Sequence, residues 1–513
     1  MKMQSLLSPR VVYRYLLLLF FVVCMLFPLL LSGCARRSEE SRNVVLALSG
    51  NPSTLDPHAT TETLTFQVVK SMFDTLIEPD INGRLVPALA ESWQVSEDNL
   101  SIHFRLRSGV QFHDGTAFTS RDVVSTFERI LSPAFGSPNL PEFQAIERLE
   151  APSPLEVIFH LREPSSPILY GLASGWAAIL PADKIAQNHN FAISPIGTGP
   201  FIFDLWRQDE AIVLRRNPNY WMEGSPVVEQ ITFRVLPESS IQLQAMLSGE
   251  VDIVYLVDTE AIPVLEASGR VSISQSLSSL VLVIPMNLSL PPMNDPLFRQ
   301  AVAKSINKQE VLDVAYGGGI PVATFNDGGS PFYVDFSHLF PYDPSAAREL
   351  LAQSSYRGET IVMSLPQNFP PHVRAGEIYQ DMLRRVGIQV ELRLVDWATW
   401  IGEIYSRANF EMTVIGHTGK LDPHGRFAGY GRGQMYVRWN NEEAADLIDQ
   451  ATRVFSFQER YDIYSKVQEH FARDLPFIYI GSPNRTVASS NRLQGFIMTP
   501  VLDTFDFRNV RFQ

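Results

Sequence analysis

The chain has 513 residues, 45% of them hydrophobic, with 42 Lys and Arg against 55 Asp and Glu and a formal net charge of −13. That balance excludes the basic footprint by which proteins hold nucleic acid. The length gives room for two or three domains with sizeable cores.

Residues 1–14 carry Lys2, Arg10 and Arg14 and no acid, and residues 15–31 are almost wholly apolar. A basic start, an apolar stretch and small residues before a cut describe a secretory signal over residues 1–33. Its end, Leu31-Ser32-Gly33-Cys34, resembles the bacterial lipobox. That resemblance implies cleavage before Cys34 and lipid attachment to it, with residues 34–43 as a lipidated tether. The competing reading is an uncleaved span, since the apolar run nearly reaches the ~20 residues that cross a bilayer. Pro28 and the Gly-Cys end favour cleavage. Losing three cations and no acid takes the charge from −13 to −16. Cys24 leaves with the signal, and a lipidated Cys34 leaves no thiol for a disulfide or a thiolate metal site.

Residues 44–48 are a short apolar run, read as a buried strand. Leu100, Ile102, Phe104 and Leu106 alternate with polar neighbours, the pattern of a half-buried strand. Phe112-His113-Asp114-Gly115-Thr116 suits a tight turn steadied by His113. Thr119-Ser120-Arg121-Asp122 reads as a capping box, followed by Val123, Val124, Phe127, Ile130 and Leu131 at helical spacing. Gly197-Thr198-Gly199-Pro200 lacks the Lys and helix start of a phosphate cradle and reads as a tight inter-strand turn. Ile231, Phe233 and Val235 alternate as a strand, residues 239–247 read as a helix stopped near Gly249, and residues 251–256 as a strand. Asp343-Pro344 supplies an N-cap with Pro at the first helical position. Residues 372–386 form an amphipathic helix ended by Gly387, and Ile388, Val390, Leu392 and Leu394 alternate as a strand. Ser456 caps a helix running to about Asp474, and residues 477–480 form a late strand. Strands alternating with helices throughout predict an α/β fold.

A series of short pieces recurs in order along the chain. It starts with Phe73-Asp74-Thr75-Leu76, Pro87-Ala88-Leu89-Ala90-Glu91-Ser92-Trp93 and Leu106-Arg107-Ser108-Gly109-Val110. It continues with Arg216-Asn217-Pro218-Asn219-Tyr220-Trp221, Leu247-Ser248-Gly249-Glu250-Val251-Asp252-Ile253 and Tyr342-Asp343-Pro344-Ser345-Ala346-Ala347. This succession over roughly 400 residues resembles the extracytoplasmic solute-binding proteins of family 5, the peptide and nickel group of ABC importers. The resemblance implies the type II periplasmic-binding fold, with two lobes, an extra α/β domain and a ligand cleft between the lobes. It assigns residues 44–85, 196–290 and 485–513 to lobe I, 86–195 to the extra domain and 291–484 to lobe III. It also implies a monomer at the cell envelope that captures a peptide or other small solute and delivers it to ABC permease subunits. No cofactor is implied.

The same resemblance points to site residues. His58, in the early loop Thr54-Leu55-Asp56-Pro57-His58, is a modest candidate for ligand contact. Val395-Asp396-Trp397-Ala398-Thr399-Trp400 follows a strand and opens a helix, where α/β sheets place ligands, so Trp397 and Trp400 become candidate pocket walls. Peptide-binding relatives place an Asp shortly before an Asp-Pro turn, to pair with the peptide's ammonium. The matching residue here is Lys420, which attracts a carboxylate instead. Nickel-binding relatives read Asp-Pro-His at the turn, and Asp422-Pro423-His424 fits that pattern, with His417 as a possible second metal ligand. Those relatives also use an Arg within the segment matching residues 135–142, and no Arg lies between Arg129 and Arg148. Peptide capture is therefore the leading expectation and nickel or a metal chelate the alternative. A surface adhesin lipoprotein is a remote third. Catalysis finds no support: the chain has no nucleophile elbow, no His-Glu-x-x-His and no Cys/His constellation.

Overall fold

The computed structural model describes residues 42–498 and 504–513. The signal sequence, Cys34 and nearly all of the tether lie outside the described residues.

Two hydrophobic cores organise the chain. The buried side chains of one come from residues 44 to 255 and again from 487 to 510; those of the other come from 281 to 480. A ten-stranded sheet runs through both. In the first body Asn43–Leu48 lies parallel to both Gln230–Val235 and Ile253–Tyr255. A strand with parallel neighbours on each side is covered on both faces. It therefore reads as an unbroken apolar run rather than an alternation.

The strand Phe477–Ser490 ties the two bodies together. Its residues 484–490 pair with Val271–Leu277, and its residues 477–481 pair with Val281–Pro285. The chain crosses a second time between Leu277 and Val281. The sequence predicts a strand over 477–480, and the structure carries it on through Gly481, Ser482 and Pro483 to Ser490. In the structure Pro483 stays in register opposite Gly319, and its carbonyl accepts from the Ser278 N–H at 3.0 Å. Val281–Pro285 falls within the segment that the sequence gives to lobe I, yet it pairs with strands of the second body, Ile415–His417 and residues 477–481.

The first body carries a four-stranded antiparallel sheet with Ser101–Leu106 at its middle, whose burial alternates as the sequence pattern requires. Above it sits the helix Ser120–Leu131, capped reciprocally by Thr119 and Asp122. In the second body Thr360–Pro366, the helix Pro370–Val386 and Gln389–Val395 form a parallel βαβ unit, with Gly387 at φ +101° ending the helix. Asp343 and Ser456 both cap their helices through the side chain.

Residues 197–200 differ from the expected inter-strand turn. They pack flat against the end of another segment, with the Gly199 N–H donating to the Met72 carbonyl at 3.0 Å and the Phe201 N–H to that of Ser71 at 2.9 Å. A Cβ on Gly197 would lie 2.2 Å from the Met72 oxygen, and one on Gly199 would lie 2.4 Å from the Met72 carbonyl carbon. Glycine is needed here for close backbone approach, not for turning. His113 staples the contact, its Nε2 donating to the Gly199 carbonyl at 3.0 Å. Gly197→Ala and Gly199→Ala are each expected to cost about 1–3 kcal/mol through forced overpacking, read as a lower urea midpoint. Midpoints equal to wild type would show that this contact yields freely.

Candidate functional site

The two bodies face each other across a set of linked spaces. One, of about 260 Å³, is walled by Glu142, Tyr170 and Trp176 from the first body and by Lys420, Asp422 and His424 from the second. A space of about 430 Å³ shares Tyr170 and continues past Trp93, Phe455 and Arg460. A third, of about 60 Å³, shares Lys420 and reaches Asp327 near the crossing strands. The first lies just under the ~300–1,000 Å³ common for small-molecule sites, and the chain of spaces suits an elongated guest. A separate cavity of about 260 Å³ lies wholly in the first body. Its charges already form a closed network, Lys70 and Arg508 on Glu78 and Arg508 on Asp506, and no residue of the second body reaches it.

The second wall is fixed from beneath. Arg460, on the helix Phe457–Asp474, is 2% exposed and grips both oxygens of Asp422, at 2.9 and 2.7 Å. Asp422 Oδ1 also accepts from the His424 N–H at 2.7 Å, closing the turn that opens the short helix His424–Phe427. Arg426, equally deep, donates to the carbonyls of His417 and Ser279 and faces Asp327. Lys420 is thereby held at the rim of a rigid loop.

The first wall has its own platform. Asp56 pairs with Arg129 at 2.5 Å, and the Arg129 guanidinium covers the Phe135 ring at 3.8 Å. Ser137 donates to the His58 carbonyl and Asn139 to that of Thr60, which sets the short helix Leu140–Phe143 and its Glu142. Lys420 and Glu142 form an ion pair across the cleft, with side chains 49% and 31% exposed. The Ser166 N–H donates to the Thr452 carbonyl at 2.7 Å, a second tie between the bodies.

His58 does not border the cleft. It is 0% exposed, its Nε2 donates to the Ala178 carbonyl at 2.8 Å and its Nδ1 accepts from Arg129 at 2.9 Å, so neither ring nitrogen is left for a ligand. Its contribution is to brace the segment that carries Glu142. Trp397 and Trp400 stack on each other at 5.1 Å, within an aromatic file that includes Phe369 and Tyr405. Trp397 is 39% exposed, whereas Trp400 is buried and donates its indole N–H to Thr413. Neither lines the three spaces between the bodies. His417 bonds to the Tyr436 hydroxyl at 2.7 Å. His424 lines the cavity, and its Nδ1 has no hydrogen-bond partner in the protein. Among the described residues no group of three or more His, Cys, Asp or Glu side chains is placed to hold a metal ion.

Sequence reasoning missed Glu142, Tyr170, Trp176 and Arg460. Glu142 had a signal, since it ends the segment where the nickel-binding relatives place their Arg. Arg460 had none: its role depends on a helix 38 residues beyond Asp422 folding back beneath it.

Burial keeps the internal histidines neutral. It pushes His58, His113 and His372 down to about 4 and His417, beside the Arg426 cation, to about 3. The unfolded chain protonates such rings near 6.5, so their contribution to stability is complete above that pH and is lost as the pH falls towards 4. Melting temperature is expected to drop steadily from pH 6.5 to 4.5, and a flat profile would contradict the neutral assignment. The two ion pairs of the cleft, Asp422–Arg460 and Lys420–Glu142, separate by mutation. Asp422→Ala, which strands a buried Arg460, should cost about 3–5 kcal/mol. Lys420→Ala, which breaks a half-exposed pair, should cost less than about 1 kcal/mol. Similar losses for both in urea unfolding would refute this division.

Known proteins share this architecture. The model for "Bacterial extracellular solute-binding proteins, family 5 Middle" matches residues 84–434. The chain is 28% identical over 477 residues to the glutathione-binding protein GsiB of Pectobacterium atrosepticum, covering 90% of this chain and 92% of that one. The ABC transporter substrate-binding protein CtaP of Listeria monocytogenes superposes with a TM-score of 0.84 at 21% identity, covering 92% and 99% of the two chains. DppA of Helicobacter pylori, solved with the peptide STSA, superposes at 0.72 with 25% identity, covering 93% and 99%. Its type II binding-protein architecture and its match along most of its length agree: the chain belongs to family 5 of the bacterial extracellular solute-binding proteins, the substrate-binding components of ABC importers.

Proposed function

We propose that this protein captures short peptides or peptide-like solutes, glutathione among them, between its two bodies and hands them to an ABC permease. The observation that carries the reading is the cavity between the bodies where Lys420 and Glu142 meet from opposite walls. With Asp422 held by Arg460, it offers one exchangeable charge of each sign and aromatic sides from Tyr170 and Trp176, which matches a small molecule with both an amine and a carboxylate. The glutathione-binding relative GsiB supports a tripeptide-sized guest. The space of about 430 Å³ beyond Tyr170 gives room for side chains or a further residue.

A diacyl lipid on Cys34 fixes the protein to the outer side of a membrane, as the lipobox-like Leu31-Ser32-Gly33-Cys34 suggests. No helix among the described residues is long and apolar enough to cross a membrane. The protein acts as a monomer. Trp397 serves as an outer wall for the projecting end of a longer ligand, with Trp400 beneath it as support. Nickel capture is the weaker reading. The free Nδ1 of His424 favours it, but Asp422 is committed to Arg460 and His417 to Tyr436.

Native mass spectrometry of the protein without its signal and Cys34 tests the reading. Incubation with a mixture of dipeptides, tripeptides and reduced glutathione should give one-to-one adducts at peptide masses. A binder at ~100 times its dissociation constant should add about 2.7 kcal/mol to the unfolding free energy. A protein that binds none of these but takes up one nickel ion would replace this reading with the metal alternative.

A further inference from the structure

We propose that the Lys420–Glu142 ion pair stands in for the ligand: in the loaded protein the peptide's C-terminal carboxylate takes Lys420 and its ammonium takes Glu142. This rests on the reading of the cavity as a peptide site.

The charge inventory of the cavity leads there. Two acids line it, Glu142 and Asp422. Asp422 is 6% exposed, and both its oxygens are held by Arg460, so an incoming ammonium would have to break a buried pair. Glu142 is partnered by Lys420, and both side chains are partly solvated. Lys420 is the one Lys or Arg lining the same cavity. The walls therefore present a single exchangeable anion and a single exchangeable cation, each from a different body. A zwitterion that replaces their mutual contact gives both charges a new partner. It also keeps the bodies bridged, because each end of the ligand is held by a different body.

Trp176 and His424 line the cavity from opposite bodies, and the Trp176 indole N–H and the His424 Nδ1 are buried without hydrogen-bond partners in the protein.

The polarity is opposite to the one the family resemblance suggests. There an acid at the place of Lys420 receives the ammonium. Here a cation stands at that place and an acid stands across the cleft, so the peptide lies turned end for end.

The test uses the tightest binder from a dipeptide and tripeptide library, found by native mass spectrometry on wild-type protein. That peptide is remade as its C-terminal amide and as its N-acetyl form, and all three are titrated by calorimetry into wild type, Lys420→Met and Glu142→Gln. For wild type, amidation and acetylation should each weaken binding by about tenfold or more, the scale of one lost charge-assisted contact. In Lys420→Met the amide penalty should vanish while the acetyl penalty remains, and in Glu142→Gln the reverse should hold. An amide penalty that persists in Lys420→Met, or an acetyl penalty that persists in Glu142→Gln, would overturn the assignment while leaving the peptide reading intact. A wild-type protein that binds no peptide would end both.

Discussion

The structure depends on a constraint of connectivity. Two hydrophobic cores, each closed on itself, are joined through Phe477–Ser490 and through the crossing at residues 277–281. A pair of adjacent strands bends as a unit more readily than a packed core deforms, so motion concentrates there. The contacts between the bodies include polar ties, Lys420 with Glu142, Arg374 with Glu260 and Ser166 with the Thr452 carbonyl, and apolar ones, Tyr170 on the second core and Leu421 and Phe455 on the first. Polar ties of this kind are individually weak. A ligand that touches both walls adds contacts that exist only in the closed state, and so shifts the population towards it.

The same economy explains the deep ion pairs. Asp422–Arg460 and Asp56–Arg129 anchor the walls of the cleft on opposite sides. Their burial makes them poor general stabilisers, because desolvation opposes the Coulomb gain. Their geometry is specific, however, and each fixes a loop that would otherwise have no core of its own. One loop presents Lys420 and His424; the other leads to Glu142. Rigid walls and exchangeable rim charges are what a binding site needs to gain affinity without paying to order itself.

Much of this was legible in the chain and part was not. Caps, alternating strands and the helix ended by Gly387 were readable because they depend on neighbours within a few residues. The order of motifs pointed to the family for the same reason, each piece being local. The full length of Phe477–Ser490 was hidden, since its pairing partners lie some 200 residues away. At the site, Lys420 was readable as a departure from an expected acid, but its partner Glu142 lies 278 residues earlier. His58 was a cleft candidate because the family resemblance brings the early loop to the cleft, and only the fold shows its ring enclosed between Ala178 and Arg129. Burial and cross-body contact are tertiary facts, and no local pattern encodes them.

The most direct test of the account is small-angle X-ray scattering of the folded protein, free and saturated with a captured peptide. If the ligand bridges the two bodies, the radius of gyration falls on saturation as the population moves to the closed form. Saturable binding with an unchanged radius of gyration and an unchanged scattering profile would contradict capture between the bodies.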